Sequence, residues 1–170
     1  GKVTRFNESQ VRAMGRTARG VRGINLAGEH RLISLIVPKE GGRILTVTEH
    51  GYGKRTENDQ FPAKGRGGKG VIAMSTSSRN GSLVGAVQVW DGDEMMLISN
   101  QGTAVRTRVD EVSLLGRNTQ GVRVIRTRDG EALVSVSRIA EDDIDAAAPA
   151  AVLANDAAGS ESDGIDGTEE

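Results

Sequence analysis

Cysteine is absent from the 170 residues of this chain, and aromatic side chains make up only 2% of them. The first absence excludes disulfides, cysteine-ligated zinc and thiol nucleophiles. The second leaves any core to Val, Ile, Leu, Met and Ala, because the only aromatic residues are Phe6, Tyr52, Phe61 and Trp90. No segment approaches the roughly 18 consecutive apolar residues of a membrane-spanning helix. The sequence therefore predicts a cytoplasmic protein with an aliphatic core and no membrane partner.

Residues that could carry out catalysis are equally scarce. The two histidines, His30 and His50, lie beside turn signals and lack the i, i+4 spacing of a metal-binding pair. The glycine-rich run at 65–70 lacks the Lys-Ser/Thr ending of a nucleotide-binding phosphate loop, since Val71 follows it directly. We therefore predict no catalytic residue, no metal site and no cofactor bound by this chain.

The charges are strongly segregated along the sequence. All 22 Lys and Arg residues lie at or before Arg138, so residues 1–139, with 13 acids, carry a net charge of +9. Residues 140–170 contain ten acids and no base, a charge of −10. A basic body of this kind favours a polyanionic partner, for which the tail could compete; a solubilising tail beside an ordinary surface is the alternative. The tail has too few large apolar residues to fold and is predicted to be disordered from residue 140 to residue 170.

The basic part of the chain contains an internal repeat. Each copy begins with a glycine and has a second glycine 14 residues later, at positions 1 and 15, 51 and 65, and 102 and 116. We call these copies repeat 1, repeat 2 and repeat 3, starting near residues 1, 51 and 102. Self-similarity at a period near 50 residues indicates a repeat architecture in which each copy forms one structural unit.

Each repeat is predicted to consist of short strands rather than helices. Aliphatic segments alternate with turn signals such as Asn80-Gly81 and Asp91-Gly92, which supply the positive φ angles of tight hairpins. The predicted strands are Arg31–Val37, Arg43–Thr48, Val71–Met74, Leu83–Trp90, Met95–Ser99, Val122–Arg126 and Leu133–Ile139. Four antiparallel strands per 50-residue unit are typical of a propeller blade. Residues 1–139 are therefore predicted to form an all-β partial disc of two full blades and part of a third.

Basic residues recur at fixed positions of the repeats. Arginine occupies the fifth position, at 5, 55 and 106, and the sixteenth position, at 16, 66 and 117. Equal offsets place residues at equivalent points of successive blades, which predicts a cationic band around one rim. Arginine and lysine among unhindered glycine N–H groups suit phosphate oxygens. The shortage of aromatic residues disfavours binding of single strands by base stacking, so a duplex is the expected ligand.

The predicted DNA-binding residues follow from this band. They are Arg16, Arg19, Arg22, Lys54, Arg55, Lys64, Arg66, Lys69, Arg106, Arg108, Arg117 and Arg123. Another interpretation stays open for some of them: a repeated arginine can instead hold neighbouring loops together through backbone carbonyls or carboxylates.

The run Lys64-Gly65-Arg66-Gly67-Gly68-Lys69-Gly70 resembles the Gln-Arg-Arg-Gly-Gly-Lys-Gly box of the DNA gyrase A protein, with Lys64 and Gly65 replacing the first two residues of the box. Segments of all three repeats, including Val11–Gly23, Tyr52–Thr56 and Gly85–Trp90, are similar to the last three blades of the gyrase A C-terminal domain. The resemblance implies a β-pinwheel, a propeller-like disc whose blades exchange strands, with duplex DNA wrapped around its basic perimeter.

The same resemblance implies the wider setting of the chain. The family serves a type II topoisomerase that introduces negative supercoils with ATP and Mg²⁺, in an A2B2 holoenzyme of gyrase A and gyrase B. Catalysis is then expected outside this chain, with the acidic tail modulating DNA binding. Two alternatives remain: the related protein of topoisomerase IV, and a protein-interaction propeller. The second is disfavoured because the glycine doublets at 41–42 and 67–68 are out of phase and paired aromatics are missing.

Overall fold

The structure, a computed structural model, describes residues 1–146, with side chains as far as residue 143. Its strands are β1 (Lys2–Val3), β2 (Arg43–Thr48), β3 (Tyr52–Glu57), β4 (Val71–Ile72), β5 (Leu83–Val89), β6 (Glu94–Ser99), β7 (Ala104–Arg108), β8 (Val122–Arg123) and β9 (Leu133–Ile139). Short 3-10 turns at Glu8–Gln10, Asn58–Gln60 and Val109–Glu111 occupy equivalent places in the three repeats, and a helix, α1, spans Glu141–Ala146.

The strands form three antiparallel sheets that cross the boundaries between repeats. The sheet orders are β1-β4, β5-β2-β3-β8 and β7-β6-β9. Strand β4 of repeat 2 pairs with β1 of repeat 1, and β8 of repeat 3 pairs with β3 of repeat 2. Neighbouring repeats therefore exchange strands, and the predicted all-β fold of antiparallel blades is confirmed. One sheet has the four strands predicted for a complete blade.

An aliphatic core joins the two larger sheets. Its fully buried members come from β2, β5, β6 and β9 and from the 3-10 turn of repeat 3; they are Leu45, Val47, Val89, Met95, Leu97, Val109, Val112 and Leu133. Burial of an aliphatic side chain of this size contributes roughly 1.5–3 kcal/mol relative to exposure. None of these eight residues is aromatic, although Tyr52 and Phe61 are also buried.

The predicted strand Arg31–Val37 is wrong: these residues form no regular strand in the structure. At the equivalent places, β5 pairs with β2 and β9 pairs with β6, so residues 31–37 would need a partner strand placed before Gly1. Without such a partner among the described residues, Leu35 and Val37 are 87% and 79% exposed. An aliphatic strand pattern thus fails here because its hydrogen-bonding partner is not supplied by these residues.

The first residues of the predicted disordered tail form a helix. Helix α1 covers Glu141–Ala146, and three of its four acidic residues lie in the first turn, where they complement the helix dipole. The backbone N–H of Glu141 donates to Asp93, and that carboxylate also binds Arg138. The helix start is thereby attached to the last blade. Residues 147–170, and with them most of the predicted tail, lie outside the described residues. No helix in the described part is long and apolar enough to span a bilayer.

Two glycines allow the repeats to approach each other closely. Gly70 and Gly121, which end equivalent loops, have φ angles of 72° and 75°. A Cβ at Gly70 would lie 2.5 Å from the Val3 carbonyl oxygen, and one at Gly121 would lie 2.6 Å from that of Gly53. Glycine is required at both positions because the left-handed backbone and the contact with the preceding repeat each exclude a side chain.

Candidate nucleic-acid interface

The loop Lys64–Gly70 lies against repeat 1. Its Lys64 N–H donates to the Arg5 carbonyl (2.8 Å), and its Gly67 N–H donates to the Gly23 carbonyl (2.7 Å). The Asn25 N–H returns a hydrogen bond to the Gly68 carbonyl at 2.8 Å. These bonds run the loop alongside residues 22–25, so that Arg22 of repeat 1 lies next to the Lys64–Gly70 loop of repeat 2.

The arginines at position 16 of repeats 2 and 3 hold neighbouring repeats together. Arg66 Nη1 donates to the Arg22 carbonyl at 2.8 Å, and Arg117 Nη1 donates to the Ile72 carbonyl at 3.0 Å. The acceptors lie at the same position of successive repeats. The backbone N–H groups of these arginines donate to the side-chain amides of Gln10 and Gln60 (2.9 and 3.0 Å), which again are equivalent residues. Arg66 and Arg117 therefore hold neighbouring loops together through backbone carbonyls, as in the alternative interpretation of the repeated arginines.

Arg16 occupies the same position in repeat 1 but has no preceding repeat within the chain to contact. Its side chain is exposed and forms no hydrogen bond with any residue that the structure describes. Arg66→Ala is expected to lower the free energy of unfolding by about 1 kcal/mol, because it removes two exposed hydrogen bonds, to the carbonyls of Gln10 and Arg22. Arg16→Ala is expected to change it by less than about 0.5 kcal/mol. Urea denaturation of both variants tests this difference, and equal destabilisation would contradict it.

The arginines at position 5 of repeats 1 and 2 bind the 3-10 turn of the next repeat. Arg5 Nη1 donates to the Asn58 and Phe61 carbonyls at 2.8 and 3.2 Å. Arg55 Nε donates to the Val112 carbonyl at 2.8 Å, and its Nη1 lies 2.9 Å from Asp91. The Arg55 side chain is only 12% exposed. The guanidinium of Arg55 is thus engaged within the fold rather than displayed on a rim.

Lys54 is predicted from the repeats to contact phosphate, and this prediction is wrong because the residue is buried. Its Nζ donates to the carbonyls of Gly116 (2.8 Å), Arg117 (2.6 Å) and Thr119 (3.3 Å). Burial, with a smaller contribution from the Arg117 charge, lowers the pKa of Lys54 to about 8. Lys54 is therefore an internal cation whose hydrogen bonds hold the Gly116–Gly121 loop in place.

The other three predicted DNA-binding residues of repeat 3 also have partners within the fold. On β7, Arg106 forms an ion pair with Glu94 of β6, and Arg108 lies 3.3 Å from Asp110. On β8, Arg123 Nη2 donates to the Tyr52 hydroxyl at 2.9 Å. The Arg108 side chain is 63% exposed, so its ion pair is a weak surface contact.

The predicted set therefore divides into two groups. Seven members are engaged within the fold, as described above. Five are exposed and make no side-chain hydrogen bond with any residue in the described part of the chain: Arg16, Arg19, Arg22, Lys64 and Lys69. All five belong to repeat 1 or to the loop that lies against it. We call these five residues the basic face; its contact with DNA stays a prediction.

Sequence reasoning missed the residues that complete the contacts between repeats. Gln10 and Gln60 occupy the tenth position of repeats 1 and 2, so the repeat itself could have identified them. Asp91, which binds both Arg43 and Arg55, has no such periodic signal. Among residues 1–146 no group of three or more His, Asp or Glu side chains is arranged to hold a metal ion.

The strand-exchanging antiparallel blades define a member of the β-propeller class, in which the five cations of the basic face lie on loops. The family described as the DNA gyrase C-terminal domain, a β-propeller, matches residues 1–39, 42–89 and 93–140. The chain belongs to this family. The matched segments begin before Gly51 and Gly102 because they include the strands β2 and β6.

Curated relatives agree with this assignment. The chain is 60% identical to the A subunit of DNA gyrase from Pseudomonas aeruginosa over 141 residues, which cover 83% of this chain and 15% of that relative. It is 59% identical to the corresponding protein of Salmonella typhimurium, with 83% and 16% covered. The chain thus spans about one sixth of the length of these relatives.

Solved structures match over a similar range. A structure of the DNA gyrase A C-terminal domain superposes with a TM-score of 0.76 at 32% identity and covers 82% of this chain and 48% of that one. The C-terminal domain of DNA topoisomerase IV gives a TM-score of 0.77 at 23% identity, with 84% and 45% covered. The second likeness supports the fold alone.

Proposed function

We propose that this chain binds duplex DNA through the basic face and contributes the DNA-wrapping surface of a type II topoisomerase. The observation that carries the proposal is the exposure of five cations on adjoining loops without carboxylate partners among the described residues. Exposed Arg and Lys side chains beside glycine-rich backbone neutralise phosphates without reading bases. Membership of the gyrase C-terminal family supports the same function.

The larger assembly is part of the proposal. In the DNA gyrase setting the chain would continue into the rest of gyrase A and act with gyrase B in an A2B2 holoenzyme of the bacterial cytoplasm, close to the chromosome. ATP hydrolysis with Mg²⁺ and DNA cleavage would take place in those other parts, and this chain would contribute no catalytic residue. The related protein of topoisomerase IV is the second candidate, but identities of 59–60% to gyrase A relatives favour gyrase.

Salt dependence of duplex binding tests the proposed interface. If the five cations of the basic face each neutralise a phosphate, log K is expected to fall with log salt with a slope of about −4.5. Fluorescence anisotropy of a labelled duplex, titrated between low and physiological salt, measures this slope. The Lys64→Ala, Lys69→Ala double variant is expected to reduce the slope by about 2 for every duplex sequence tested. A slope near zero for the unmodified chain would refute binding through phosphates.

Wrapping, as opposed to simple adhesion, has a topological signature. Nicked circular DNA sealed by ligase in the presence of the chain is expected to show a positive shift in linking number. A protein-interaction propeller would leave the linking number unchanged, and so would a chain that binds DNA without bending it.

A further inference from the structure

A second group of cations lies at the boundary of repeats 2 and 3. A cavity of about 220 Å³ opens where β3 pairs with β8, and it is lined by His50, Tyr52, Arg79, Arg123, Arg126 and Thr127. We call this cavity the Tyr52 pocket. Arg79 and Arg126 were not among the residues that the repeat offsets selected.

Tyr52 organises two of the three arginines. Its hydroxyl accepts hydrogen bonds from Arg79 Nε (3.2 Å) and Arg123 Nη2 (2.9 Å). Both guanidinium carbons also lie close to the ring, 5.2 and 5.3 Å from its centroid. The aromatic face and the hydroxyl thus hold two like charges together, and the hydrogen bonds from Arg79 and Arg123 lower the pKa of the Tyr52 hydroxyl.

The pocket has no counter-charge of its own within the described residues. The described residues form seven ion pairs in all, and none of these includes Arg79, Arg123 or Arg126. Each guanidinium has five N–H donors, and the hydroxyl accepts only one bond from each of its two partners. Donors therefore remain for an anion that enters the cavity.

The position of Arg79 is fixed by the fold. The neighbouring Asn80 is fully buried, and its Nδ2 donates to the Ser75 carbonyl at 2.9 Å and to the Gln120 carbonyl at 3.2 Å. The first bond closes the loop that carries Arg79, and the second fastens that loop to the Gly116–Gly121 loop, directly before β8. The arginines consequently converge from two separately anchored segments, an arrangement suited to a multidentate anion.

We propose that the Tyr52 pocket binds a phosphate group through Arg79, Arg123 and Arg126. When the chain binds duplex DNA, the phosphate is a backbone phosphodiester; this source rests on the proposed function, whereas binding of free phosphate does not. The pocket is peculiar to one repeat boundary, because Lys2 and Thr103 replace Tyr52 in the other repeats and Ile72 replaces Arg123. Arg123 shares its repeat position with Arg22 of the basic face, but Tyr52 and its two arginine partners come together only at this boundary among the described residues.

The chain contains a built-in probe for this site, since Tyr52 is its only tyrosine. Ionisation of the phenol is followed by absorbance near 295 nm as the pH is raised. Inorganic phosphate is expected to raise the pKa of Tyr52 towards its ordinary value, because a bound anion offsets the arginine charges. Chloride at the same ionic strength is the control and is expected to leave the titration unchanged.

Duplex binding of two matched variants identifies the source of the phosphate. Arg126→Gln removes a pocket cation that makes no hydrogen bond to Tyr52, and Arg31→Gln removes an exposed arginine elsewhere. Anisotropy is expected to show about three- to tenfold weaker duplex binding for Arg126→Gln than for Arg31→Gln.

The outcomes separate the pocket from the proposed function. A phosphate-induced shift without a duplex effect assigns the pocket to free phosphate, and a duplex effect without a shift assigns it to the DNA backbone. If the unmodified chain binds no duplex but Tyr52 still responds to phosphate, the proposed function fails and the pocket stands. An unchanged titration together with equal duplex affinities of the two variants would overturn the inference.

Discussion

Replacing Lys54 with methionine is expected to lower the free energy of unfolding by about 2 kcal/mol at pH 7. The Lys54 ammonium is the donor to three backbone carbonyls and to the Thr119 hydroxyl, all within 3.3 Å. Methionine fills a similar volume but leaves these acceptors in the Gly116–Gly121 loop without their donor. Burial of the ammonium offsets part of the hydrogen-bond energy, which is why the expected loss is smaller than that of a fully effective buried charge.

The loss should grow at alkaline pH. The pKa of Lys54 is lowered to about 8 in the folded chain, against an ordinary value of 10.5. Between these two values the unfolded chain binds a proton that the folded chain has released, so the contribution of Lys54 to stability rises with pH in this window. Below about pH 8 both states are protonated and this contribution is flat. The methionine variant lacks the rise, and the difference between the two proteins therefore widens from about pH 8 to about pH 10.

Urea denaturation at a series of pH values measures both effects. Lys64→Met is the matched control, because Lys64 is exposed and its side chain makes no hydrogen bond with the described residues. It is expected to change stability by less than about 0.5 kcal/mol at any pH in the series. A Lys54 variant whose deficit stayed constant across the alkaline range would show that the ammonium is not the group that titrates.

Most of the fold could be predicted from the repeat in the sequence, because blade structure is local and periodic. Arg43–Thr48 and Leu133–Ile139 have in the structure the bounds that the sequence predicts. Residues 31–37 have the same aliphatic pattern but form no strand, because a strand also needs a hydrogen-bonding partner. The equivalent strands β5 and β9 pair with β2 and β6. Periodicity in a sequence reports the side chains of a strand and contains no information about whether the neighbouring strand is present.

The candidate site was less predictable for a related reason. An offset places Arg16 and Arg66 at equivalent points of two repeats but does not say what faces each point. Arg66 faces the Arg22 carbonyl, whereas Arg16 has no preceding repeat within the chain. Lys54 was misassigned because its charge gave no indication of burial, and Arg79 was missed because its pocket depends on a contact between repeats that occurs once. Charge can be read from sequence, but accessibility is a property of the packed blades.

Arg55→Ala is expected to lower the free energy of unfolding by about 2 kcal/mol through the loss of a contact between repeats. The Arg55 side chain is 12% exposed and donates to the Val112 carbonyl at 2.8 Å. Asp91 is not left alone in the variant, because Arg43 also binds it at 2.6 Å. The loss therefore comes mainly from the 3-10 turn of repeat 3, whose carbonyls lose their donor while Val109 and Val112 remain in the core.

Arg106 supplies the matched control for Arg55, since it has the same position in repeat 3. Its side chain is 41% exposed and pairs with Glu94 on the adjacent strand of the same sheet, not with the 3-10 turn of a following repeat. Arg106→Ala is expected to cost less than about 1 kcal/mol in urea denaturation, as exposed ion pairs do. Equal losses at the two positions would mean that the shared offset, and not the contact with the next repeat, determines the energetic role of this arginine. A larger loss at Arg55 would show that the contact with the 3-10 turn of the next repeat, and not the shared offset, determines the energetic role of this arginine.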